Sequence, residues 1–166
     1  MQNFFKFIFV TLSLGMLLSV NVYANQTANS VSIKSNNQEL EQLGDGNLKS
    51  IFTGKVVIVY NKDTTINADR VVVTSINGKK VIVATGSNVT VVNQERQFRL
   101  VCKELTFDVN ANLITATNGS ATLQGNNITG NVLVYNTKTG NINATGNSSN
   151  QVRTVINNIN TSPVSK

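Results

Sequence analysis

The sequence predicts an all-β fold of bent antiparallel hairpins repeated about four times, and three observations carry that reading. First, the pattern apolar-x-small-x-x-apolar-x-apolar recurs as Ile33-Ser35-Gln38-Leu40, Ile66-Ala68-Val71-Val73, Leu100-Cys102-Leu105-Phe107 and Ile128-Gly130-Leu133-Tyr135, with Gln38 a weak point in the first copy. Second, a glycine follows each small residue by 16 to 19 positions, at Gly54, Gly86, Gly119 and Gly146. Third, no stretch sustains a helical period of apolar residues. Alternation by two keeps side chains on one face of a strand, and the step of three after the small residue breaks that parity. A bend or bulge there restores the inward direction, and a small side chain suits a tight corner.

Residues 1–24 read as a cleavable export signal and not as part of the fold. Lys6 opens a short basic region, Phe7 to Val20 is apolar apart from small and hydroxyl residues, and Val22-Tyr23-Ala24 has the small residues of a cleavage site after Ala24. A membrane anchor would need roughly 20 apolar residues, and this run is shorter and ends at Asn21. Residues 25–30 are a polar leader, and strand-like alternation begins at Val31. Leu43-Gly44-Asp45-Gly46-Asn47 has the composition of a turn.

The run Ile51 to Tyr60 is rich in β-branched residues on both parities. Phe52, Gly54, Val56 and Ile58 are assigned inward, which leaves Val57 and Val59 as the ambiguous face. Asn77-Gly78 is a strong hairpin signal, and Asn110-Ala111-Asn112 and Lys138-Thr139-Gly140 stand at the equivalent places further on. The returning strands end on related tails, Ala84-Thr85-Gly86, Ala116-Thr117-Asn118-Gly119 and Ala144-Thr145-Gly146. These turns argue for antiparallel pairing and against a parallel β-helix. A last apolar group, Val152 to Ile156, predicts a short terminal strand, and residues 157–166 a disordered polar tail. Residues 25–156 are thus expected to form one domain, long enough to bury about two-thirds of its extended-chain surface.

Composition excludes several functions. The chain has no His, no metal-ligand cluster, no nucleophile motif and no paired carboxylates at a recognisable spacing, so an enzyme or a metal or cofactor site is not expected. The net charge of +6 is a modest bias that fits either an anionic partner or simple solubility; nothing in it points to nucleic acid. Cys102 is the sole cysteine and occupies the small-residue place of the third repeat, so it reads as a small buried hydrophobe. Asn88-Val89-Thr90 and Asn127-Ile128-Thr129 match a glycosylation pattern that an Asn- and Thr-rich composition produces by chance.

Phe52-Thr53-Gly54-Lys55-Val56 and Ile66-Asn67-Ala68-Asp69-Arg70-Val71-Val72-Val73 resemble the LptA/OstA family of periplasmic lipopolysaccharide-transport bridges. The likeness extends to Ile33-Lys34-Ser35-Asn36 with Leu40, similar to the family's opening strand, and Gln151 to Val155, similar to its closing one. It implies an open, twisted antiparallel β-jellyroll with an apolar groove, placed in the periplasm. It also implies lipopolysaccharide as cargo, held by its lipid A part. The implied partners are the inner-membrane lipopolysaccharide export complex, the outer-membrane translocon and further copies of the chain, docked head to tail.

The groove would be lined by Ile33, Phe52, Val56, Ile58, Ile66, Val71, Val73, Val91, Leu105, Phe107, Val109 and Leu133; ordinary core is the competing reading for each. The docking edges would be Val31 and Ile33 at one end and Val152, Val155 and Ile156 at the other, because unpaired edges invite strand addition. Burying one CH₂ is worth ~0.8 kcal/mol, so an acyl chain of about a dozen carbons gains on the order of 10 kcal/mol before costs. Lys79, Lys80, Arg96, Arg99 and Lys103 would either meet lipid phosphates or lie as solvated surface. Asp69 is expected to hydrogen-bond turn backbone. An exported structural or adhesive β-repeat protein is the alternative function.

Overall fold

A computed structural model describes residues 30–157; the expected signal at 1–24 and, apart from Asn157, the expected tail at 157–166 lie outside them. The described chain is a meander of ten strands in one antiparallel sheet. They are β1 (Val31–Lys34), β2 (Asn37–Gly44), β3 (Asn47–Tyr60), β4 (Thr64–Ile76), β5 (Lys79–Asn93), β6 (Phe98–Asp108), β7 (Leu113–Leu123), β8 (Asn126–Asn136), β9 (Ile142–Thr145) and β10 (Arg153–Val155). Among the described residues there is no helix.

The long strands β3 to β8 each cross the molecule and bend midway, so the sheet folds into two facing leaves. The hydrogen-bond ladder is interrupted where the repeats predict a corner: Gly54 and Lys55 together oppose the single Asp69, and 86–88 oppose the single Lys103. Gly54, Lys55 and Asn118 hold positive φ values of 79°, 49° and 51°. β1 and β2 behave as one bent strand interrupted at Ser35 and Asn36, since β1 pairs with residues 57–60 of β3 and β2 with residues 47–53. β9 and β10 divide β8 in the same way. One leaf therefore runs from β1 to β10 and the other from β2 to β9.

This geometry explains the 16 to 19 residue spacing between small residue and glycine. A hairpin leaves a corner and returns to it one strand later, so the two positions stand side by side. Asn36 N–H donates to the Gly54 carbonyl at 3.0 Å. Asp69 accepts from Ser87 N–H at 2.8 Å, as expected of a carboxylate at a turn. A Cβ added to Gly86 would come within 2.7 Å of that carboxylate, so a side chain there would push Asp69 from its place against Ser87.

Asparagines at the hairpin tips tie each turn to its neighbour. Asn47 Oδ1 accepts from Asn77 N–H, Asn110 Oδ1 from Lys80 N–H, and Asn126 Oδ1 from Asn157 N–H. Asn77 and Gly78 both have positive φ, at 50° and 75°, as the predicted Asn-Gly hairpin requires. The Asn-rich composition thus serves turn geometry and turn-to-turn bonding.

Candidate functional site

The inner faces of the two leaves enclose one continuous apolar cluster. Of the residues assigned to the interior from sequence, Phe52, Val56, Ile58, Ile66, Val71, Val91, Leu105, Phe107, Val109 and Leu133 are buried, while Ile33 and Val73 are partly buried and pack against them. Val57 and Val59 face outward, which settles the phase of β3. Sequence reasoning missed Tyr60, Ile82, Val89, Phe98 and Ile114, and left Leu100 and Tyr135, apolar positions of the repeat, out of the groove; all are buried in the same cluster. Their signal was alternation by two within each half-strand: Ile82 shares a face with Ala84, and Phe98 and Leu100 with Cys102.

Two aromatic pairs join the leaves across the interior. The Tyr60 ring meets Phe107 edge-on at 4.9 Å, and Phe98 stacks on Tyr135 at 3.8 Å. The leaves end in two lips of hairpin turns, and side chains bridge those lips. Tyr60 Oη donates to Asn112 Oδ1 at 2.7 Å. Arg96 donates from Nη1 to the Thr139 carbonyl at 3.0 Å and from Nη2 to the Lys138 carbonyl at 2.9 Å. Sequence reasoning offered Arg96 to lipid phosphates or to solvent. Its guanidinium instead fastens one lip to the other, and Lys79 pairs with Asp108 at 3.2 Å.

These bridges show that the leaves are offset along the sheet. The β3–β4 turn, beginning at Tyr60, faces the β6–β7 turn, and the β5–β6 turn, carrying Arg96, faces the β8–β9 turn. The β2 leaf therefore overhangs at one end, where Leu40 and Leu48 lie on its inner face with 61% and 38% exposure. The β1 leaf overhangs at the other end, where Val152 and Ile156 flank β10 and are 42% and 61% exposed.

The expected edges take a different form from that read in the sequence. The N-terminal edge is divided between β1, bearing Val31 and Ile33, and the longer β2, every residue of which is exposed. At the C-terminal edge only Arg153–Val155 are strand, and Val155 pairs with outward-facing Asn127. The break at Ser35 explains the first difference, because a corner without a continuous ladder separates β1 from β2. The outer face is more polar than the interior: a recess there is lined by Lys62, Asp63, Thr65, Asn67, Gln94 and Glu95 together with Val92. Among the described residues no group of three potential metal ligands gathers.

Cys102 is buried, and desolvation pushes its thiol up to about 11. Burial also raises Tyr60 and Tyr135. The folded state thus keeps protons that the unfolded chain releases, so stability is full below the ordinary thiol value near 9 and falls as pH rises towards about 11. Urea midpoints measured across that range should decline, and Cys102→Ala should make the decline shallower.

A β-jellyroll open at both ends, with an apolar interior and no assembled catalytic group among the described residues, is the architecture these observations define. The chain belongs to the family described as LptA/(LptD N-terminal domain) LPS transport protein, whose profile matches residues 32–141. Its fold is similar to that of LptH from Pseudomonas aeruginosa, described as the LptA-homologous periplasmic component of the conserved lipopolysaccharide transport device. The TM-score is 0.67 at 16% identity, covering 78% of this chain and 96% of LptH. No match was found among curated proteins.

Proposed function

We propose that this protein is a non-enzymatic periplasmic carrier that passes lipopolysaccharide along its interior between the inner-membrane export complex and the outer-membrane translocon. The observation that carries the proposal is the continuous apolar interior bounded by two overhanging, unpaired ends, in a chain of the lipopolysaccharide-transport family. Acyl chains crossing an aqueous compartment need apolar surroundings along their whole length. The interior residues from Ile33 to Leu133 supply those surroundings, with the lipid A acyl chains lying between the leaves. The overhanging edges around β1, β2 and β10 supply docking sites for a second copy or for the complexes at either membrane.

Photo-crosslinking tests this directly. A photoreactive residue at Phe107 or Val91 should yield adducts with lipopolysaccharide, whereas one at outward-facing Thr106 should not. Equal labelling at all three positions would remove the interior as the lipid path. Depleting the protein should leave newly made lipopolysaccharide at the inner membrane.

A further inference from the structure

The interior holds apolar side chains that are completely shielded from solvent, among them Ile58, Ile66, Val71, Val91, Leu100, Phe107 and Leu133. A second molecule cannot occupy that space unless the leaves separate. Among the described residues, the side chains of Tyr60 and Arg96 bridge the lips. Among the described residues, no strand of one leaf pairs with a strand of the other except by continuing through its own corner.

The corners leave freedom for such a movement. Each neighbouring pair of long strands breaks its ladder where it passes from one leaf to the other: between Thr53 and Val56, between Asn67 and Arg70, between Thr85 and Val89, between Val101 and Leu105, and between Thr117 and Gly119. A change in the angle between the leaves can therefore be absorbed where pairing is already interrupted, with both half-ladders intact.

The lip contacts are shaped for closure. Arg96 is held by its own turn, its backbone N–H donating to Asn93 Oδ1 at 2.9 Å, and its guanidinium then crosses to two carbonyls of the opposite lip. Gly140 makes that crossing possible, because a Cβ there would collide with the guanidinium. The Tyr60 to Asn112 bond closes the neighbouring pair of turns in the same way.

One group opposes closure. Tyr135 Oη is buried and, among the described residues, is the buried side-chain polar atom that lacks a hydrogen-bond partner. A hydroxyl sealed away without a partner raises the free energy of the closed form, and opening returns it to water. The closed arrangement thus combines bonds that favour it with a built-in cost, as expected of an element with two accessible states.

We propose that the Arg96 and Tyr60 bridges form a side gate along the jellyroll, which opens at the lips to admit acyl chains and closes over them. The inference rests on the carrier reading given above. Arg96 and Tyr60 act as positioning residues for cargo entry, and Tyr135 lowers the barrier to release of the gate. Sideways entry lets an amphiphile insert its chains while its polar head stays in water at the lips. Threading from an end would instead draw the head past the whole interior.

The gate is tested on the full chain carrying Cys102→Ala, with Gln97→Cys on one lip and Lys138→Cys on the other. Both parent side chains are exposed and stand beside the Arg96 bridge. Spin labels at these sites report the lip separation by pulsed electron resonance, and a cleavable bis-maleimide joining them locks the lips. A short separation should dominate, and Arg96→Ala should raise the share of longer separations about tenfold. Tyr135→Phe, which removes the unpartnered hydroxyl, should lower that share.

The locked protein should take up purified lipopolysaccharide at least about tenfold more slowly than the same protein after the linker is cleaved. Equal uptake by locked and cleaved protein would overturn the gate while leaving the carrier reading intact, because cargo would then enter from an end. No uptake by either form would overturn the carrier reading itself. Unchanged lip separations in Arg96→Ala would remove Arg96 from the gate, and unchanged separations in Tyr135→Phe would remove the role given to the buried hydroxyl.

Discussion

Phe107→Ala should lower the unfolding free energy by about 3–5 kcal/mol, whereas Thr106→Ala, one residue away, should change it by no more than about 0.5 kcal/mol. Phe107 is fully buried, lies between Ile82 and Ile114 on the flanking strands, and meets the Tyr60 ring edge-on. Removing it forfeits the transfer of a large apolar side chain, the aromatic pair worth roughly 0.5–1.5 kcal/mol, and packing against the cavity left behind. Neighbouring strands held in a ladder cannot collapse to fill that space. Thr106 points outward from the same strand and is exposed, so its truncation leaves no cavity. Urea unfolding checks the contrast: the midpoint should fall sharply for Phe107→Ala with little change in slope. Similar midpoints for the two variants would mean that the inner and outer faces of β6 are misassigned.

That contrast was legible in the sequence because the step of three in Leu100-Cys102-Leu105-Phe107 declares where parity resets. The bends and the packing role of Cys102 follow from the same local rule, and the Asn77-Gly78 turn from its own dipeptide signal. Val57 and Val59 were ambiguous because β-branched residues occupy both faces there, and a strand partner settled the phase. The two-lip arrangement was not legible at all. Arg96 and Lys138 are separated by 42 residues, and Tyr60 and Asn112 by 52. Which turn faces which depends on how far one leaf is displaced against the other, a quantity that no local pattern encodes. Leu40 shows the same limit: its parity marks it as inward, and the offset then leaves it uncovered.

That offset sets the second large effect, on self-association. Under the end-to-end docking proposed above, Leu40→Asp should weaken association of the protein by about tenfold to a hundredfold, and Ile156→Asp should do the same from the opposite end. β2 offers an unpaired strand edge and the exposed inner-face side chains Leu40 and Leu48. The other end offers β10 with Val152 and Ile156. The two overhangs belong to opposite leaves, so one copy's β1-leaf overhang can cover the next copy's β2-leaf overhang and continue its sheet. Such a contact is heterologous and does not close on itself, so sedimentation should show a series growing with concentration and no stop at a dimer. Both replaced side chains are exposed, so the circular dichroism of the variants should match that of the native chain. Each variant keeps one intact end. An equimolar mixture should therefore form dimers, because the intact C-terminal end of the Leu40→Asp chain meets the intact N-terminal end of the Ile156→Asp chain, and growth then stops. A mixture that stays monomeric, or a single variant that still forms the full series, would place the contact elsewhere on the molecule. Dimers confined to the mixture would assign both the two surfaces and their polarity.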